Sequence, residues 1–205
     1  LQNTARIKSY GRKAREEDAD TSLTPYFEAL EPLTRVSEEI SRCILSEEEI
    51  ADDASPKLKS IRRSIVLIGD KIHSQLNSMV NGSYRTYLQD NVITMRNDRY
   101  CIPVKAEYKG QVKGMVHDQS STGSTFFIEP EAIVNLNNQL KELSIQEKEE
   151  IEAILFSLSQ LCAEHTEELA RNQQLMTQLD FIFAKASLAP VSYTHLRAHE
   201  TRHDL

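Results

Sequence analysis

Hydrophobic residues recur every three or four positions over most of the chain, the spacing that places them on one face of an α-helix. One such stretch, Leu58–Leu76, follows Ser55-Pro56. Serine before proline is typical of a helix start, because the serine side chain caps free N–H groups and proline needs none there. An earlier stretch at 23–44 contains Pro25 and Pro32, which predict a break or kink near its start.

The pattern changes near residue 90, where short runs rich in β-branched and aromatic residues replace the helical spacing. Turn residues such as Asn97-Asp98 separate these runs, and the alternation predicts antiparallel strands joined by tight turns. The four predicted strands are Val92–Arg96, Arg99–Val104, Val112–His117 and Thr125–Ile128. A unit of this size needs its flanking helices for stability.

Helical spacing returns after the last predicted strand, where Glu129-Pro130-Glu131 indicates a helix start. A narrow apolar stripe continues to about residue 174, with a polar interruption at 144–150. If unbroken, this helix is about 60 Å long, and its narrow stripe predicts an arm packed along one side only. The wider apolar face of Leu175–Leu188 predicts a more buried segment.

These elements predict a mainly α fold with a small antiparallel β insertion, in which long antiparallel helices carry the sheet at their tip. We expect a helical segment at 1–89, the β unit at 90–129, and a long helix returning to the core at 130–189. Residues 190–205 have three histidines within nine residues and no apolar period. We interpret them as a non-native tail and leave them out of the fold prediction.

Composition narrows the class of protein. The net charge is −7, so the chain as a whole is not a basic nucleic-acid binder, and any such contact needs a local patch. The three cysteines, Cys43, Cys101 and Cys162, are far apart, which favours reduced thiols in a cytoplasmic protein. No apolar run reaches the length of a membrane span, so we expect no membrane partner.

Candidate catalytic motifs are weak. No glycine is followed by the Lys-Ser/Thr pattern of a phosphate-binding loop, so we expect no ATP binding by this chain. His199–His203 matches the zinc-protease pattern H-E-x-x-H, but no predicted core follows it to hold a metal. His117 and Asp118 beside Ser120 and Ser121 suggest a hydrolase triad, yet the nucleophile elbow is missing and a capped polar loop is favoured. We predict no catalytic residue and no metal ligand.

Positive charge concentrates in the β unit, and a basic surface on an acidic chain suits contact with nucleic-acid phosphates. A solvated strand face is the alternative. The loop after Asp118 is rich in hydroxyl and amide side chains, which either contact phosphates or bond to one another in a turn. The candidate nucleic-acid-binding residues are Arg96, Arg99, Lys105, Lys109, Lys113, Gln119, Ser120, Ser121 and Thr122.

Several runs of the chain resemble the second type of bacterial MutS paralogue, the MutS type II family. The longest is Leu88–Gly110, which reads LQDNVITMRNDRYCIPVKAEYKG. The others are Asp53–Pro56, Val116–Ser121, Phe126–Pro130, Leu136–Asn138 and Leu179–Ala186. The resemblance covers roughly residues 20–189, and its runs are long, ordered and specific.

The resemblance implies a helical core and lever with an inserted β clamp, ahead of an ATPase domain and, in typical members, a small Smr nuclease-like domain. It implies a mismatch-repair-like, ATP-driven homodimer that uses ATP and magnesium. Such proteins suppress recombination through branched DNA, or rescue stalled ribosomes by contacts that include rRNA. We expect this chain to stop before the ATPase and to depart from the family after Ala189, so that it is non-catalytic and has no cofactor of its own.

Two functions remain open at this point. In the first, the clamp contacts the nucleic-acid backbone and the long helix couples that contact to the ATPase domain. In the second, the chain is a structural protein–protein interaction arm with no nucleic-acid contact. Salt dependence separates them, because phosphate contacts weaken steeply with salt and protein contacts less so.

Overall fold

The computed structural model describes the backbone of residues 1–17 and 22–200, and the side chains of residues 1–15 and 22–188. The chain forms two units. One contains Leu1–Arg42 and the chain from Phe156 onward, and the other is Cys43–Leu155. Helices dominate both, and the second unit also contains a four-stranded antiparallel sheet. The expected mainly α fold with a small β insertion is confirmed.

The first unit is built from helices around a small apolar centre. They are α1 (Gln2–Glu17), α2 (Thr24–Ala29), α3 (Thr34–Cys43) and α6 (Thr166–Glu200). Pro25 lies in the first turn of α2, and Pro32 lies between α2 and α3, so the predicted interruption is confirmed. Phe27, Leu30 and Leu179 form the buried centre.

The prediction that Leu175–Leu188 is a more buried segment is wrong for the described residues. Leu179 is buried, but Phe181 is 60% exposed and Leu188 is 64% exposed. The width of an apolar face on a helix indicates how much surface is available for packing. It does not indicate whether another element covers that surface. Within the described part of this unit, Phe181 and Leu188 remain exposed to solvent.

In the second unit, helix α4 (Pro56–Asn81) runs antiparallel to helix α5 (Glu131–Ala163), whose last turns, from Phe156, belong to the first unit. The start of α4 follows the sequence prediction, since the Ser55 hydroxyl accepts a hydrogen bond of 2.9 Å from the Leu58 N–H. The same hydroxyl donates to Glu150 on α5 over 2.8 Å. Arg62 donates to Glu147 over 2.7 Å, so polar contacts pair the start of α4 with the middle of α5.

Replacing Ser55 with alanine is expected to destabilise the second unit by about 1 to 2 kcal/mol, because the change removes both the helix cap and the bond to Glu150. Urea unfolding followed by circular dichroism measures this. Ser74→Ala is the matched control, because Ser74 lies exposed in the interior of the same helix, where alanine is favoured. Equal unfolding free energies for the two variants would show that the cap contributes nothing.

The sheet contains β1 (Thr94–Arg96), β2 (Arg99–Lys105), β3 (Gly114–Gln119) and β4 (Thr125–Pro130), in the order β1-β2-β4-β3. All four lie close to the predicted strands, with two differences. A 3-10 turn at Ala106–Gln111 delays the third strand to Gly114. The fourth strand continues through Glu129 and Pro130, so the helix predicted to open at Glu129 begins at Glu131.

One face of the sheet packs against α4 and α5. Alternate residues of β2, Ile102 and Val104, are fully buried there, and the opposing Ile128 of β4 is 1% exposed. Helices α4 and α5 complete this core with Ile72, Leu76, Val80, Ile133 and Leu136. Burial in β2 is not limited to these alternate residues, because Cys101 and Pro103 are buried as well.

The long helix predicted to continue to about residue 174 is interrupted at Glu164 and His165, between α5 and α6. The His165 N–H donates to the Cys162 carbonyl over 3.1 Å, a bond that spans three residues, as in a 3-10 helix, where an α-helix spans four. The Thr166 hydroxyl donates to the Ala163 carbonyl over 2.8 Å. Helical bonding resumes when the Leu169 N–H donates to the His165 carbonyl. No proline or glycine marks the position, so the sequence carries no signal for it.

Two further observations concern the described residues only. No helix among them combines the length and apolarity needed to cross a membrane. No group of three or more His, Cys, Asp or Glu side chains among them is placed to hold a metal ion. The His199–His203 motif lies outside the residues whose side chains are described.

Candidate nucleic-acid interface

A tight turn at Asn97 and Asp98 places the two candidate arginines opposite each other. Both turn residues have positive φ angles, 52° and 60°, which is the backbone of a two-residue type I′ hairpin. Asparagine and aspartate tolerate that conformation better than most residues. Arg96 and Arg99 are therefore register partners at the end of β1 and β2.

Arg96 is engaged by its own sheet. Its Nε lies 3.1 Å from an oxygen of Asp118 on β3, and its guanidinium carbon lies 3.9 Å from the centre of the Phe127 ring on β4. These contacts extend across three strands. The carboxylate of Asp118 therefore offsets the positive charge that Arg96 presents to a phosphate.

Arg99 is engaged more deeply. One guanidinium nitrogen donates to Glu129 over 2.8 Å and another donates to Asn138 of α5 over 2.6 Å. Glu129 is fully buried, and its other oxygen lies 2.6 Å from Nε2 of His117. Asn137 of α5 donates to Glu129 over 2.8 Å. This arrangement, which we call the Glu129 cluster (Arg99, His117, Glu129, Asn137, Asn138), stabilises the sheet and leaves Arg99 without a free charge.

The Glu129 cluster holds its carboxylate in the ionised form. Burial works to raise the pKa of Glu129, but hydrogen bonds from Asn137, His117 and Arg99, together with the charge of Arg99, outweigh burial and lower that pKa below its ordinary value. The same carboxylate affects Cys101. Burial, with the negative charge of Glu129, raises the pKa of the Cys101 thiol to about 11. Cys101 therefore stays a protonated thiol, which is a poor nucleophile.

The three candidate lysines differ from the arginines. In the described part of the chain, none of Lys105, Lys109 and Lys113 has a salt bridge to a carboxylate. Nζ of Lys105 lies 3.5 Å from the Thr86 carbonyl, and Nζ of Lys109 lies 4.4 Å from the centre of the Phe126 ring. Lys109 and Lys113 are exposed. The positive charge available to an outside ligand is therefore carried by the lysines.

The candidate loop residues bond mainly to one another. The Ser120 hydroxyl accepts a bond of 3.1 Å from the Thr125 N–H, and the Thr122 and Ser124 hydroxyls lie 2.8 Å apart. The Gln119 side chain donates to the Gly123 carbonyl over 3.3 Å, where Gly123 has a φ of 71°. Ser121 is exposed. This is the geometry of the self-bonded turn, the alternative that the sequence left open.

The hydrolase arrangement considered for this region does not form among the described residues. His117 pairs with Glu129, and Asp118 pairs with Arg96. The Ser120 hydroxyl contacts Thr122 and the Thr125 N–H. The three side chains therefore bond to different partners and do not form a proton relay.

Sequence reasoning missed the residues that tie the sheet to α5. The Asn137 side chain bonds to both the N–H and the carbonyl of Tyr100, each over 3.2 Å, and Asp98 pairs with Lys141 over 2.9 Å. A signal was present for Asn137, which lies four residues after Ile133 and so on the buried face of α5. An asparagine on an apolar stripe indicates a buried hydrogen-bonding role.

Comparisons with known proteins give a consistent result. No protein-family model matches the chain. Among curated proteins, it is 57% identical over 190 residues to endonuclease MutS2 of Agathobacter rectalis and 55% identical over 195 residues to that of Lachnoclostridium phytofermentans. It is 49% identical over 186 residues to that of Clostridium perfringens. These alignments cover 91–92% of this chain and 24% of each relative, so the chain spans about a quarter of the length of the relatives it matches.

Proposed function

Because the chain belongs to the MutS2 family over nine-tenths of its length, we propose that its β-sheet is a clamp for nucleic acid and that α4 and α5 form a lever. The clamp contacts the phosphate backbone through Lys105, Lys109 and Lys113. The lever transmits that contact to an ATPase domain of the full-length protein. The region itself performs no chemistry.

The unpaired lysines are the observation that carries the proposal. The chain has a net charge of −7, and in its sheet the two arginines are neutralised by Asp118 and Glu129. Lys105 and Lys109 lie near the Thr125 end of β4, and Lys113 lies near its Pro130 end. None of the three has a carboxylate partner among the described residues, so each offers a positive charge along the sheet. Lysine ammonium groups bind phosphates as mobile point charges, and neutralising phosphates releases counterions, which drives sequence-independent binding.

The contacts between the sheet and the helices support the lever. Asp98 at the hairpin tip pairs with Lys141 of α5, and this contact lowers the pKa of Asp98 through the lysine hydrogen bond and charge. Arg99 reaches Asn138 one turn earlier. On the far side, Arg62 of α4 pairs with Glu147 of α5. A force on the hairpin therefore acts directly on α5, and a shift of α5 acts on α4.

For the whole protein we propose an ATP-driven homodimer that binds ATP and magnesium outside this region and has endonuclease activity. Its targets in this proposal are branched DNA or stalled ribosomes, where the clamp contacts DNA or rRNA backbone. The names of the relatives support the nuclease activity for those proteins. A cationic surface without base-reading side chains supports a target recognised by its backbone.

Neutralising the three lysines tests the clamp. The variant Lys105→Gln/Lys109→Gln/Lys113→Gln is expected to bind labelled duplex DNA at least about tenfold more weakly at low salt. The slope of log K against log salt is expected to fall by about 0.9 for each phosphate that the variant no longer neutralises. Fluorescence anisotropy across a salt series, with branched DNA and an rRNA fragment as further ligands, measures both quantities.

The control carries the same change in charge at a different place. Lys13→Gln/Lys59→Gln/Lys71→Gln removes three exposed lysines from α1 and α4. If this variant loses as much affinity as the sheet variant, binding depends on net charge and the clamp proposal is wrong. The far-UV spectrum of each variant confirms that its fold is intact.

A second function has one observation in its favour. Met115 and Val116 on the edge strand β3 are 56% and 41% exposed, and an edge strand with apolar side chains can pair with a protein partner. The chain would then be an interaction arm without nucleic-acid contact. In that case the lysine variant keeps its affinity for the target, and the affinity of the native chain changes little with salt.

A further inference from the structure

Aromatic rings lie beside Lys105 and Lys109. Tyr84, Tyr87, Tyr108 and Phe126 are half-buried, and we call them the aromatic patch. The ring centres of Tyr87 and Tyr108 are 5.1 Å apart with planes tilted by 35°, and those of Tyr84 and Tyr87 are 6.4 Å apart. The inner edges of all four rings pack against the core of the second unit, so the patch is a fixed surface.

Backbone pairing holds the patch in place. Leu88 forms a β-bridge with Val104, and the Gln89 N–H donates to the Pro103 carbonyl over 2.9 Å. This bridge brings Tyr87 beside the end of β2. Tyr108 reaches the same place from the 3-10 turn that follows β2. The β1–β2 hairpin separates the two segments in the sequence, and the bridge and the turn place their tyrosines side by side.

The lysines contact the faces of these rings. Nζ of Lys105 lies 5.9 Å from the centre of the Tyr108 ring, and Nζ of Lys109 lies 4.4 Å from that of Phe126. A distance of about 6 Å is the outer limit of a cation–π contact, so the Lys105 contact is weak. Its flexible four-carbon side chain can leave the ring and reach a nearby phosphate.

From this juxtaposition we infer that the aromatic patch binds unpaired nucleotides, with bases on Tyr87 and Tyr108 and phosphates at Lys105 and Lys109. The inference rests on the proposed function and narrows its ligand to single-stranded nucleic acid, DNA or RNA. Aromatic rings beside cations are what single-strand binding needs, because every base has a flat apolar face and every nucleotide carries a charge.

Charge and shape both favour this occupant. An acidic peptide would meet Lys105 and Lys109, but only a nucleotide chain carries a flat ring on every unit to cover the patch. In duplex nucleic acid the base faces are already stacked inside the helix, so a duplex reaches only the lysines. The tyrosine hydroxyls of the patch are further donors for phosphate oxygens.

The experiment uses the whole chain and four fluorescein-labelled ligands at low salt. They are oligothymidylate and oligouridylate of about 16 nucleotides, an abasic strand with the same phosphates, and a duplex of the same length. Tyr87→Leu/Tyr108→Leu removes the rings and keeps apolar side chains. This variant is expected to lose about tenfold or more in affinity for both base-bearing single strands, and little for the duplex.

The native chain is expected to bind the abasic strand at least about tenfold more weakly than it binds oligothymidylate. This comparison needs no mutation, so a folding defect cannot explain it. Tyr87→Phe/Tyr108→Phe keeps the rings and is expected to retain most of the single-strand affinity. Tyr10→Leu, at an exposed tyrosine of the first unit, is the control for losing a ring elsewhere.

Equal binding of oligothymidylate and the abasic strand by the native chain would overturn the inference. So would a leucine variant that folds and keeps its single-strand affinity. In either case the proposed function stands if the three-lysine variant loses affinity for the duplex. If that variant binds every ligand as the native chain does, the proposed function fails. Oligothymidylate and oligouridylate separate DNA from RNA as the source, because the two strands offer similar bases and phosphates and differ in the 2′-hydroxyl.

Discussion

Replacing Glu129 with leucine is expected to destabilise the unit Cys43–Leu155 by about 3 to 5 kcal/mol, the effect of removing one partner of a buried ion pair. Leucine fills a similar space but accepts no hydrogen bond. Asn137, which is 1% exposed, loses a partner for its side-chain N–H, and Arg99 loses its carboxylate. Urea unfolding followed by tyrosine fluorescence measures the change, because this unit contains Tyr84, Tyr87, Tyr100 and Tyr108.

Glutamine at the same position separates charge from hydrogen bonding. Its amide oxygen can still accept from Arg99 and Asn137, and its NH2 group can donate to a neutral His117. Glu129→Gln is therefore expected to destabilise the unit by only about 1 to 2 kcal/mol. Glu142→Gln is the surface control, since Glu142 is exposed on α5, and we expect a change within about 0.5 kcal/mol. A leucine variant as stable as this control would show that the Glu129 cluster contributes nothing to stability.

The contribution of Glu129 to the stability of the folded state also depends on pH. Its folded-state pKa lies below the ordinary value of 4.5, so the unfolded chain takes up a proton at a higher pH than the folded chain does. Stability from the ionised carboxylate is therefore fully present above the unfolded-state pKa, and it is lost as the pH falls through the folded-state pKa. The difference in stability between the native chain and Glu129→Gln is expected to narrow over that acidic range, and a difference that is constant with pH would contradict this assignment.

Adding one methyl group at Gly114 is expected to destabilise the sheet by about 2 to 3 kcal/mol. A Cβ at this position would lie 2.9 Å from a methyl carbon of Ile128 and would overlap the backbone carbonyl oxygen of Glu129. Gly114 pairs with Pro130 at the start of β3. The neighbour that must move is backbone, so Gly114→Ala forces the β3–β4 pairing to open at this end.

Gly110 offers a matched control for that substitution. It lies on the same segment of chain, and a Cβ there meets nothing within 4 Å. Gly110→Ala is expected to be neutral or slightly stabilising, because alanine restricts the unfolded chain more than glycine does. Hydrogen exchange of the β3 and β4 amides gives a local measurement for both variants. If the β3 and β4 amides exchange at the same rates in the two alanine variants, the prediction that a methyl group at Gly114 opens the strand pairing is wrong.

The sequence predicted those elements that are specified by neighbouring residues. The serine cap before Pro56 sets the start of α4, and the Asn97-Asp98 pair sets the β1–β2 turn. Both are local signals, because a cap or a turn depends on residues within a few positions. The order of helices and strands followed from the same kind of pattern.

The sequence could not predict features that depend on distant partners. Glu129 precedes a proline and resembles a helix-opening residue, but its backbone pairs with Met115 of β3 and its carboxylate bonds to Arg99, 30 positions earlier. The carboxylate of Glu129 offsets the positive charge of Arg99, and the carboxylate of Asp118 offsets that of Arg96. A charge count over residues 96–113 does not show these pairings. The sequence therefore located the region of the candidate site. The structure then distinguished the arginines, which pair with carboxylates, from the lysines, which do not.

The placement of the whole sheet between α4 and α5 sets an order of assembly. The contacts that join the two helices directly, Arg62 with Glu147 and Ser55 with Glu150, close loops of 85 and 95 residues. The hairpin β1–β2 pairs residues at most seven positions apart, and closing a short loop loses less chain entropy than closing a long one. Folding of the second unit is therefore expected to begin in the hairpins and to bring α4 and α5 together last. During synthesis, α4 emerges well before its partner helix, and its apolar face stays unpaired until the sheet and the first turns of α5 have been made.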